Sequence, residues 1–117
     1  MATMKRNVLV VEDNPVICNR FKSAFILSGY HVQVTGKISD AIALVRSGNR
    51  SARPFDLVVV DISDEKHRGF LADVQNINVN IPVFALKDAD DKALIIDMLN
   101  RKQVGMIEQF IDSHSNA

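Results

Sequence analysis

The chain has one cysteine, Cys18, no tryptophan, and only three prolines and five glycines among 117 residues. A single thiol excludes an internal disulfide framework. With only His31, His67 and His114 scattered beside it, no zinc spacing of thiolates and imidazoles can be written either. These histidines read as surface or boundary residues, and Cys18 as a small half-buried group on a helix. No apolar run is long enough for a signal peptide or a membrane span, so a cytoplasmic protein is expected. Charge of one sign is missing too: fourteen basic and fourteen acidic side chains cancel, and no overall field draws the chain to nucleic acid or to a membrane surface. A glycine-rich phosphate loop is also absent after the first apolar run, where acids stand instead, which argues against a nucleotide or flavin protein.

What is present is enough apolar residue, 47%, to build a real core, in one domain spanning 1–117 with its core in 6–111 and a polar tail at 112–117. Val8 to Val11 is an all-apolar run ending at Glu12 and Asp13, the pattern of a strand covered on both faces. Asn14 or Asp13 can cap the helix that Pro15 opens, and Gly29 should stop it. His31 to Val34 is a weak strand. Ser39 or Asp40 can cap a second helix that ends near Gly48, and 49–54 reads as a loop. Phe55 to Val60 is the most hydrophobic stretch and terminates at Asp61. Helical spacing resumes around Gly69, Pro82 opens a strand over Val83 to Leu86, and Asp88 precedes a helix carrying Leu94, Ile95, Met98 and Leu99. Met98 and Met106 read as core filler. The segment from Val104 to Ile111 fits a fifth strand or a short helix.

Strands alternating with helices imply a doubly wound five-stranded parallel α/β sheet of order 2-1-3-4-5, with the C-terminal helix short or missing. Ligands of such sheets sit beyond the carboxyl ends of the strands. Neighbouring first and third strands would place Glu12 and Asp13 beside Asp61, across about 5 Å of sheet spacing. One acid after a buried strand is commonly just where the chain meets water. Three in one crevice repel each other, and a divalent cation with an all-oxygen shell, Mg2+ or Mn2+, relieves them. Asp64 and Glu65, in the following loop, read as solvated.

These residues carry a family pattern. The opening NVLVVEDNPVICNRF, the run FDLVVVD ending at Asp61, and Gly69 eight residues later make the chain resemble the receiver domain of two-component response regulators. The resemblance implies that Asp61 accepts a phosphoryl group from a histidine kinase, a phosphotransfer protein or a small donor. Mg2+ would be held by Glu12, Asp13, Asp61 and the Ser63 backbone carbonyl. Enzymatic activity would extend at most to self-phosphorylation and autodephosphorylation, and the output to a downstream effector or a missing domain.

The departures from the pattern are equally specific. Lys87 stands where the family has a small hydroxyl residue, Gln109 and Phe110 where it has a lysine and a proline, and Met106 where an aromatic switch usually sits. Lys87 admits three readings: a substitute cation at the phosphoryl site, a partner of unmodified Asp61, or a lysine snorkelling into solvent. A chain with these losses also reads as a phosphorylation-independent pseudo-receiver, a protein-protein docking module. If the last helix is missing, an uncovered sheet face implies association, through a homodimer or an exchanged element.

Overall fold

A computed structural model of the protein describes residues 5–51, 53–63 and 65–115. Four strands form one parallel sheet: β1 (Asn7–Val11), β2 (His31–Thr35), β3 (Leu57–Asp61) and β4 (Val83–Leu86), in the order β2-β1-β3-β4. β1 and β3 occupy the middle and pair in register from Val8 with Leu57 to Val11 with Val60. All five residues of β3 and the last four of β1 are buried. That is why both strands read as unbroken apolar runs rather than as alternation.

Helices cover both faces. One layer holds α1 (Pro15–Leu27), α4 (Ala89–Asn100) and α5 (Gly105–Ser115), and its core joins Phe21, Phe25, Leu57, Val59, Ile96 and Ile107. The other holds α2 (Ile38–Arg50) and α3 (Arg68–Ile77), packed through Leu9, Val11, Val45, Val58, Phe70 and Val74. A single 3-10 turn, Glu65–His67, leads into α3.

Helix ends follow their sequence signals with one exception. Asn14 caps α1, its side-chain oxygen accepting from the N–H groups of Val16 and Ile17 at 3.0 and 3.3 Å. At the other end Gly29 turns to a φ of +93°, the Gly29 N–H reaches Ile26, and the Tyr30 N–H reaches Phe25. The Tyr30 ring packs edge-on against Phe25, the apolar contact that accompanies this kind of stop. The exception is α2: it begins one residue before Ser39, from a Lys37 cap without a side-chain hydrogen bond, and runs through Arg50 rather than ending near Gly48.

The fifth strand is not formed. Val104, Ile107, Phe110 and Ile111 recur at three- and four-residue steps, so their apolar groups gather on one side only in a helix, and α5 takes the whole segment. It also takes 112–115, the start of the expected polar tail. Ile107 and Ile111 are fully buried, and Phe110 stacks on Phe84 with ring centroids 4.3 Å apart. The C-terminal helix is therefore full-length and covers the face expected to be bare, which removes that argument for a homodimer. Its register is fixed by polar contacts. Tyr30 donates to Glu108 at 2.9 Å, and Arg6 pairs with both Glu108 and Asp112, the latter at 2.7 Å. Burial and the Glu108 hydrogen bond together push the Tyr30 hydroxyl well above its ordinary pKa. Met106, expected in the core, is 72% exposed.

Candidate functional site

The carboxyl ends of β1 and β3 bring three acids together. Glu12 continues the β1–β2 ladder, its N–H donating to the Thr35 carbonyl at 2.9 Å, and is only 3% exposed. Asp13 follows at the exposed rim. The close approach of Gly36 keeps this corner tight, since a Cβ there would stand 3.3 Å from the Asp13 Cα. Asp61 closes β3 at 7% exposure, opposite Leu86 of β4. One carboxylate oxygen from each of Glu12, Asp13 and Asp61 lies within 4.8 Å of the others, so this cluster has the geometry of a potential divalent-cation site.

A cation of the chain itself already stands there. Lys92, in the first turns of α4, puts its Nζ 2.6 Å from Glu12 Oε1 and 2.9 Å from Asp61 Oδ2, with its side chain only 12% exposed. The geometry of the β4–α4 junction aims it. Asp88 caps α4 by accepting from the Asp91 N–H, and Asp91 in turn accepts from the Lys87 N–H, both at 2.9 Å. From that cap, Lys92 lies in line with Ile95, Ile96 and Leu99, the buried stripe of the helix.

The second Asp61 oxygen is also engaged. Oδ1 accepts from the Ser63 N–H at 2.9 Å and from the Ser63 hydroxyl at 2.6 Å. Burial pushes the Asp61 carboxyl up, but the two Ser63 donors and the Lys92 ammonium outweigh it and hold its pKa at about 2. For Lys92 burial works downward, and Glu12 and Asp61 reverse it, leaving the ammonium above its ordinary value. Beneath the site, His67 is buried at 4% exposure and its Nδ1 meets the Asp61 backbone carbonyl.

The structure thus brings Glu12, Asp13, Asp61 and Ser63 together and leaves Lys87 out. The Lys87 side chain is exposed and has no ion pair among the described residues; its contribution is the N–H that fixes Asp91. Ser63 meets Asp61 through its N–H and hydroxyl. Two residues were missed from sequence. Lys92 has a legible signal, a basic residue three, four and seven positions before buried apolar ones. The stripe expected from sequence, Leu94, Ile95, Met98 and Leu99, is rotated from the real one, and Leu94 is 59% exposed. His67, read as an untasked boundary residue, has no local signal. Asp64 and the side chain of His114 lie outside the described residues.

As a cation site, the oxygen donors suit a hard divalent ion, but its natural position between Glu12 and Asp61 is the one Lys92 holds. With Lys92 in place a divalent ion would share the acids with the ammonium and be repelled by it, so the two cations compete for this cluster.

The sequence profile described as the response regulator receiver domain matches residues 8–114. The chain belongs to this family. Among solved structures this receiver is similar to a response regulator receiver domain protein from Clostridium thermocellum, at 16% identity and a TM-score of 0.67, covering 95% of this chain and 94% of that one. It is also similar to the signal receiver domain of an HD domain-containing protein from Pseudomonas fluorescens Pf-5, at 15% identity and TM-score 0.71, covering 99% and 93%. A third similar structure is an orphan response regulator of H. pylori, at 19% identity and TM-score 0.60, covering 83% and 95%. At these identities the likeness shows the fold. No curated protein matches the receiver significantly. None of its described helices is long and apolar enough to cross a membrane.

Proposed function

We propose that this receiver signals without phosphorylation, as a protein-protein docking module whose acid site is held in one state by an internal cation. The observation that carries the reading is the double ion pair of Lys92 with Glu12 and Asp61. The ammonium offsets part of the charge that a divalent ion would otherwise neutralise, which lessens the pocket's need for a metal. It also binds Asp61 Oδ2, while the two Ser63 donors bind Oδ1, so both oxygens of Asp61 are engaged and less nucleophilic than those of a free carboxylate. Because Lys92 belongs to α4, the same contact fixes the first turn of that helix on the site. A downstream effector would meet one fixed surface.

A second reading is favoured by the acid trio itself. If Lys92 withdraws, Glu12, Asp13 and Asp61 can hold Mg2+ or Mn2+, and Asp61 can accept a phosphoryl group from a sensor histidine kinase, a phosphotransfer protein or a small donor. Intact-mass measurement after incubation with acetyl phosphate and Mg2+ separates the two. The docking reading expects unchanged mass in the wild type. A single added phosphoryl group, absent in Asp61→Asn, would replace it with phosphoryl transfer.

A further inference from the structure

Zero net charge conceals a separation of charge between the two ends of the sheet. At the amino ends of the strands, opposite the acid site, a groove of roughly 860 Å³ runs under α2 along β2, and Lys5, His31 and Arg53 line it. A hollow on the outer side of α2 shares Ser47 and Ser51 with this groove and adds Arg46 and Arg50. Between Asp40 and Asp56 the sequence carries Arg46, Arg50 and Arg53 and no acid. The acid that does line the groove, Asp56, already accepts from the Asn7 N–H at 2.8 Å.

The same groove follows an open sheet edge. β2 is one of the two terminal strands of the sheet and bonds to β1 on one side only. The His31 N–H donates to Arg6, and the Thr35 carbonyl accepts from Glu12. In a parallel ladder the alternate residues, Val32 and Val34, then turn their N–H and carbonyl groups outward.

We infer that the β2 edge and its arginine rim form a docking site for an extended acidic segment of a partner protein. The segment would add as a further strand against Val32 and Val34, with its carboxylates at Arg46, Arg50 and Arg53. Charge complementarity selects an acidic occupant, and the free backbone groups select a polypeptide. A nucleic acid would find the cations but no pairing partner for the edge, and Phe55, the phenylalanine of the groove, is buried and offers no stacking face. The inference names a partner class for the docking reading, yet it stands or falls separately. A phosphoryl group on Asp61 would overturn that reading and leave the β2 edge as it is.

The test is a 15N-HSQC titration of the full chain with an end-blocked peptide of about eight residues alternating valine and glutamate. Expected are shifts centred on the Val32 and Val34 amides. Binding should weaken about tenfold in an Arg46→Glu/Arg50→Glu/Arg53→Glu variant whose spectrum is otherwise folded. A peptide of the same charge N-methylated on alternate residues should not bind. The proposal is overturned by no shift at about millimolar peptide, by equal binding of the N-methylated peptide, by shifts confined to the arginine side of α2, or by tighter binding of a single-stranded oligonucleotide.

Discussion

Replacing Lys92 with methionine removes the ammonium while keeping most of the apolar stem. Two carboxylates are then left side by side with 2% and 8% side-chain exposure, and their counter-ion is gone. Breaking a buried pair from one side costs about 3 to 5 kcal/mol. The lower end applies here, because Asp61 keeps both Ser63 donors. For a chain of this size about 3 kcal/mol lowers Tm by about 12 °C. Urea unfolding followed by circular dichroism reads the free energy directly. The double variant Lys92→Met/Glu12→Gln should recover most of the loss, since it removes a charge together with its partner. Lys92→Met should also bind divalent ions more tightly than the wild type, because no ammonium then competes for the acids. Mg2+ at about a hundred times its dissociation constant should restore about 2.7 kcal/mol, with far less effect on the wild type. A Lys92→Met protein within about 0.5 kcal/mol of wild type, well inside the scatter of surface substitutions, would refute the internal-cation argument.

Three further predictions concern the site and the helix ends. Asp61 has a depressed pKa, so the stability it contributes is complete above its ordinary value of 3.8 and is lost as pH falls through about 2. In Lys92→Met burial meets less opposition, and acid unfolding monitored by circular dichroism should move to higher pH. His67→Ala strips the Asp61 carbonyl of its buried partner and should cost about 2 kcal/mol in urea unfolding; an unchanged midpoint would mean water replaces the imidazole. Lys102 is the only non-glycine with positive φ among the described residues, at +59°, just past the end of α4, where its N–H bonds to Leu99 and that of Gln103 to Met98. Lys102→Gly should therefore raise stability by about 1 kcal/mol, measurable as a higher Tm.

The central strands and their acids were legible because burial on both faces writes itself as an unbroken apolar run, and each run ends where the chain must meet solvent. Glu12, Asp13 and Asp61 could be placed together from that alone, once the order of the inner strands was assumed. The last segment was ambiguous for a physical reason. Val104, Ile107, Phe110 and Ile111 are few enough to serve a short buried strand, and only the demand for a lid over Leu57, Val59 and Phe84 decides for a helix. The cation was missed through an error of rotation. Placing the apolar face of α4 on Leu94 and Met98 turns Lys92 toward water, whereas burying Ile96 turns it onto the carboxylates. Lys87 stands where the family pattern has a small hydroxyl residue, but there the backbone, tied down by Asp91, leaves its side chain outside.

The contact between Arg6 and Asp112 spans 106 positions of sequence and ties the start of the first strand to the last helix. Forming it closes nearly the whole polypeptide into a ring, and such closure gains little until both anchoring surfaces exist. The last helix is therefore expected to dock after β1 and the Tyr30 turn are assembled, an order that pulsed hydrogen exchange during refolding would reveal.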